Sequence, residues 1–243
     1  MKLWVTRPSF DAEILSTILV THGHEVVIES LLNINFKDIG VLNLENIQAL
    51  IVTSRNGIRA AIAAKQADLF ISIPLFTVGA GTAALAKALG FQNVIEGPSN
   101  AKSLLAVIQA HTVNDKGMLL HLASETLAFD LTYYLRKLGY RAICKHVYTA
   151  RPVRLLSPNL LSQITIGVID GVILLSPRTA QVYANLLEFH NVKVNAQNII
   201  HFCLSQAVAD RLLVLKVDKI CIPWKPNINE LLKLISNKAH QAI

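Results

Sequence analysis

The chain has 243 residues, 52% of them apolar and 16% charged, with a formal net charge of +7. Such hydropathy would suit a membrane protein, but no stretch approaches the ~20 uninterrupted apolar residues of a spanning helix. Lys and Arg are scattered, without the basic run and interleaved aromatics of a nucleic-acid surface, so neither a membrane nor nucleic acid is an expected partner.

In chain order, the first segment, Leu3 to Leu32, reads as strand, helix, strand. Leu3-Trp4-Val5 gives way to Thr6-Arg7-Pro8-Ser9, apolar residues recur at three- and four-residue spacing, and Gly23 stops the helix. His22 and His24 bracket that stop and read as a solvated turn. Periodicity lapses from Asn33 to Phe36, a candidate crossing between domains. Ala49 to Gly90 is a second kind of unit. Its first strand ends in Thr53-Ser54-Arg55-Asn56, a helix follows, and its second strand runs into Gly79-Ala80-Gly81-Thr82. Leu119 to Tyr148 returns to the first kind, with Gly139 in the place of Gly23 and Ala123-Ser124-Glu125 at the strand end. A second crossing is expected over Tyr148 to Pro152. Gly171 to Leu215 returns to the second kind, with Ser176-Pro177-Arg178-Thr179 and Ser205-Gln206 at its strand ends.

Short Val/Ile/Leu runs alternating with helices imply parallel sheets covered on both faces and joined by right-handed crossovers. Four such units predict an α/β protein of two doubly wound domains. Six strand ends then carry hydroxyls or glycine into the first turn of an expected helix. Such residues cap helices. As a set, at the carboxyl ends of parallel strands, they also suit a ligand with several anionic groups, because helix starts offer unpaired N–H groups and a positive dipole end. Either role is open for each turn.

Other chemistries find little support. Gly79-Ala80-Gly81 lacks the context of a dinucleotide fingerprint, with Ala84 at the third glycine position. Cys144, Cys203 and Cys221 have no zinc spacing and read as small buried apolar side chains in a reducing cytoplasm. His121 and His201 lie on or beside expected strands and read as satisfied core residues, while Glu13, Glu125 and Glu188 read as surface charges on helices. No metal site is expected. Tyr148, in Lys145-His146-Val147-Tyr148-Thr149-Ala150, borders the crossing, where its phenol either donates into a site or meets water.

Together these residues resemble uroporphyrinogen-III synthase along the whole chain. The resemblance rests on Val5 to Pro8, Leu50 to Ala60, Thr77 to Gly90, Lys145 to Ala150, Asp170 to Leu187 and the closing Pro226 to Ile235, in that order and spacing. It implies two flavodoxin-like domains joined by a two-stranded connection, with a cleft between them. Residues 1–33 and 150–243 would form one domain and 36–147 the other, with crossings near 34–35 and 148–149. The implied reaction cyclises hydroxymethylbilane, a polycarboxylate, to uroporphyrinogen III with loss of water and inversion of the terminal ring. It needs no cofactor, and the expected enzyme is a cytoplasmic monomer. Matched by motif or by place at a strand end, the substrate-binding candidates are Arg7, Ser54, Gly79, Thr82, Ser124, Ser176 and Ser205. Tyr148 is the candidate for assisting hydroxyl loss. One departure stands out: a second Gly-x-x-Thr turn is replaced by Ser205 and Val208. The alternative is a non-catalytic binding or regulatory protein of the same fold with an anionic ligand.

Overall fold

The computed structural model describes residues 1–98 and 100–241. The chain divides into two compact units, Met1–Asn33 with Arg151–Ile243, and Ile34–Ala150. It opens with β1 (Lys2–Val5), α1 (Ser9–Thr21), β2 (Glu25–Ile28) and β3 (Leu32–Phe36), the last running across the first boundary. The second unit continues through β4 (Ile47–Val52), α2 (Arg55–Ile62), α3 (Ala67–Ser72), β5 (Leu75–Val78), α4 (Ala80–Ala88) and β6 (Val94–Gly97). It then adds α5 (Ala101–His111), β7 (Met118–Ser124), α6 (Leu131–Lys137) and β8 (Arg141–Pro152), and β8 recrosses the boundary. The first unit resumes with α7 (Pro158–Thr165), β9 (Gly171–Leu174), α8 (Pro177–Phe189), β10 (Ile200–Cys203), α9 (Gln206–Ala209), β11 (Ile220–Cys221) and α10 (Ile228–Gln241).

The sheet of the first unit runs β11-β10-β9-β1-β2, and each of these pairs is parallel. Its strands are apolar throughout because both faces are covered. Trp4, Val172 and Leu174 pack with α7 and α8, while Leu3, Val5 and Ile173 pack with α1 and α10. In the second unit the order is β3-β8-β7-β4-β5-β6, with β4 to β8 joined by parallel pairs. Leu50, Val52 and Leu120 face α2, α3 and α4, and Ala49, Ile51 and Leu119 face α5 and α6. Alternate residues of one strand thus feed two separate cores, as the two-residue repeat of a strand requires. Both units are doubly wound.

Several expectations are corrected. Glu125 does not begin a helix: it lies in an exposed turn, pairs with Lys37 at 3.3 Å, and α6 starts only at Leu131. The true cap is Asp130, whose carboxylate accepts from the Tyr133 N–H at 2.9 Å, while Ser124 Oγ accepts from the nearby Thr126 N–H instead. The helix expected after Ser205 is a single turn, α9, continued as a 3₁₀ helix over Asp210–Leu215. Of the three cysteines only Cys203 is fully buried, since Cys144 lies on β8 and Cys221 on the edge strand β11. The turn at Gly23 is only partly solvated: His22 is exposed, but His24 is buried and desolvation lowers its pKa.

Candidate functional site

In an open α/β sheet, the place to look for a ligand is where successive connections leave in opposite directions, outside the carboxyl ends of the strands. Both sheets have such a point. In the second unit the chain steps outward from β4 through β5 to β6, then returns to place β7 on the other side of β4. Ser54, just beyond β4, and Ser124, ending β7, flank that reversal. In the first unit the reversal falls between β1 and β9, which lead into Arg7 and Ser176. Four of the candidate residues therefore sit at the two switch points.

The second unit assembles the richer site. Ser54 is extended (φ −153°) and caps α2, its Oγ accepting from the Gly57 N–H at 3.2 Å. The same Oγ lies 2.8 Å from the phenol oxygen of Tyr148, which β8 brings alongside from 94 residues away. Tyr148 is 7% exposed: the ring packs in the core and the hydroxyl meets Ser54. β7 and β8 place Ser124 directly beside Tyr148. Both residues line a cavity of about 430 Å³, together with Thr53, Asn100, Lys102 and the turn 126–129. Asn100 caps α5 through the Ser103 N–H at 2.8 Å, so this wall of the cavity is a helix start carrying a lysine. It suits a negatively charged group.

Gly79 does another job. Its φ of +71° is open chiefly to glycine, and it turns β5 into α4. Its N–H is committed to the carbonyls of Gly97 and Pro98, at 3.2 and 3.0 Å. Thr82 is buried on α4. Sequence reasoning passed over Arg55 as a site residue. Its guanidinium lies over the start of α4, 3.5 Å from where a side chain at Gly81 would begin, and brings a cation to that dipole end. The available signal was a repeated pairing, Ser54-Arg55 and Ser176-Pro177-Arg178.

In the first unit the candidate side chains are mostly engaged locally. Arg7 is half-buried, and its guanidinium donates to the Asp11 carboxylate at 2.8 Å, which offsets its charge. Ser176 caps α8, accepting from the Thr179 N–H at 3.1 Å, and also meets the Thr179 hydroxyl at 2.8 Å. Ser205 makes no side-chain cap bond to α9. Val208, at the place of the missing threonine, is 1% exposed and belongs to the core around α8. Thr82, the threonine of the retained turn, is 7% exposed, so the substitution removes a hydroxyl from a buried position rather than from open surface.

The buried histidines on β7 and β10 stand apart from this chemistry, but they are not fully satisfied. His121 meets Thr132 at 3.3 Å through Nδ1, and its Nε2 has no partner. His201 bonds the buried Tyr183 hydroxyl at 2.9 Å through Nε2. Burial holds both imidazoles down at about 4, and it pushes the Tyr183 phenol up. Among the described residues no group of three His, Cys, Asp or Glu side chains could hold a metal ion, and no helix is long and apolar enough to cross a membrane.

Comparison with known proteins gives a consistent result. Residues 13–233 match the family model of uroporphyrinogen-III synthase HemD. No curated protein matches the chain in sequence. Among solved structures, the uroporphyrinogen-III synthetase of Helicobacter pylori superposes with a TM-score of 0.67 at 15% identity, covering 98% of each chain. A mutant uroporphyrinogen III synthase from the extremely thermophilic bacterium Thermus thermophilus gives 0.59 at 14% identity, covering 99% of each. At such identities the structural likeness speaks for the fold.

Proposed function

Since the chain belongs to the uroporphyrinogen-III synthase family, we propose that it cyclises hydroxymethylbilane to uroporphyrinogen III with loss of water, as a cytoplasmic monomer and a lyase of tetrapyrrole biosynthesis. The match over residues 13–233 carries this reading. The arrangement at the second unit's switch point suits the chemistry. Departure of the substrate's hydroxyl leaves an azafulvene-like cation. The substituted carbon of the terminal pyrrole attacks it, and the resulting spiro intermediate fragments and recloses with that ring inverted. The pyrrole nitrogens supply the electron pairs, so the protein must chiefly fold a flexible polycarboxylate into the reactive shape.

Tyr148 is the residue for the first step. Its phenol donates to the hydroxyl as the carbon–oxygen bond breaks; the electron pair stays on oxygen, and water leaves. The proton released from the ring carbon at the final closure restores the balance, so no net proton is consumed. In the second unit, positioning falls to the helix start at Asn100 with Lys102, to Ser124 and to Arg55 over α4; in the first, the turns at Arg7, Ser176 and Ser205 are the candidates. Family membership gives the non-catalytic alternative no support.

Tyr148→Phe tests the assignment, because it keeps the packed ring and removes only the hydroxyl. General-acid assistance predicts a fall in turnover of about 10²- to 10⁴-fold, with the melting temperature nearly unchanged. Formation of isomer III must be followed by chromatography after oxidation, since hydroxymethylbilane also closes unaided to isomer I. Full activity in the Phe variant would remove Tyr148 from the chemistry.

A further inference from the structure

We propose that Ser54 is a positioning residue for Tyr148: it donates its hydroxyl hydrogen to the phenol oxygen, so that the phenol's own hydrogen is turned toward the cavity. The inference rests on the role given to Tyr148 above and assigns to Ser54 a task different from gripping substrate.

The geometry around Ser54 Oγ points this way. A serine hydroxyl has one hydrogen to give and two lone pairs to accept with. One lone pair is occupied by the Gly57 N–H at 3.2 Å, which fixes the side chain as the cap of α2. Its second neighbour is the Tyr148 oxygen at 2.8 Å. A second lone pair remains, so the 2.8 Å contact fits either donor; in the proposed polarity the hydroxyl hydrogen goes to the phenol oxygen, because Tyr148 is the member of the pair that lines the cavity. Tyr148 then accepts on its Ser54 side, and its O–H is available to the cavity that the residue lines. The opposite polarity would turn the phenol proton inward, away from a leaving hydroxyl. Accepting one hydrogen bond also strengthens the phenol as a donor of the next, because bonds in a chain polarise one another. The phenol is buried and its ring immobilised in the core, so the bond to Ser54 sets the direction in which the hydrogen points.

Three substitutions separate this role from capping and from substrate binding. Ser54→Ala removes both cap and donor. Ser54→Thr keeps both. Ser54→Asp keeps a strong cap but accepts only, so it draws the phenol hydrogen toward itself. The expected result is a kcat lowered about 10- to 100-fold in the Ala and Asp variants with KM changed less than about threefold, the pattern of an interaction made in the transition state. The Thr variant should stay near wild type. Ser54→Ala combined with Tyr148→Phe should be no slower than Tyr148→Phe alone, because both act through one hydroxyl. A readout without substrate accompanies these: the Raman ring doublet of Tyr148, taken as the difference from Tyr148→Phe, reports whether a phenol accepts or only donates. It should shift toward donation in Ser54→Ala and remain unchanged in Ser54→Thr. A Raman doublet indifferent to Ser54→Ala would overturn the proposal, as would a loss confined to KM or full additivity in the double variant. Should wild-type protein form no isomer III while the doublet still answers to Ser54, the synthase reading fails and the pairing of Ser54 with Tyr148 stands.

Discussion

At the scale of single residues, buried histidines weaken the protein in acid. His121 and His201 are neutral when folded, held near 4 by burial, whereas an unfolded chain protonates them near 6.5. Between those values the unfolded state binds more protons, so stability is full above about pH 6.5 and falls as the pH drops toward 4. The urea midpoint, measured in steps from about pH 7.5 to 4.5, should decline mainly below 6.5; a midpoint constant across that window would contradict the burial of both rings. Gly79 makes a second residue-scale case. Gly79→Ala forces a side chain into φ +71°, and should lower stability by about 1 to 2 kcal/mol, read as a shift in the same midpoint. The sequence showed both Ser54 and Tyr148 as candidates, each for its own reason. Their 2.8 Å contact was not legible, because it joins residues 94 apart through the pairing of strands that are not consecutive in the chain.

At the scale of elements, the first turn of α2 holds the site together. A Cβ on Gly57 would stand 2.5 Å from Val52 Cγ1 and 3.2 Å from the Leu122 carbonyl oxygen, so α2 can start this close to β4 and β7 only with glycine there. Gly57→Ala must push that turn outward and carry Ser54 away from Tyr148. A loss of about 1 to 3 kcal/mol is expected from the overpacking, together with a fall in turnover at least as large as that of Ser54→Ala. An Ala variant with wild-type midpoint and turnover would show the turn to be looser than described. Helix starts were partly readable in advance. Ser54 and Ser176 each accept from the N–H three residues on, as a serine before an apolar periodic run suggests. Ser124 misled because it has the same composition, while the cap that operates, Asp130, stands further along the chain, after a turn that lines the cavity.

At the scale of the whole molecule, the two units differ in how they are built from the chain. Residues 34–150 contain β4 to β7, nearly all of β8, both of their cores and the Ser54–Tyr148 pair in one continuous stretch. The other unit inserts β1, from the N-terminal stretch, between β9 and β2. A fragment of residues 34–150 should therefore unfold cooperatively and keep the Tyr148 Raman signature. An unfolded fragment would contradict this. The alternation of strands and helices was legible because hydrophobic spacing is local. Strand order was not, since it is set by which cores close and not by any single segment. The most direct test of the account is the product of the intact protein on hydroxymethylbilane, oxidised and separated by chromatography against a reaction without protein. Isomer III is expected as the enzymatic product, formed well above the spontaneous rate; isomer I alone, at the rate of the protein-free control, would overturn the synthase reading.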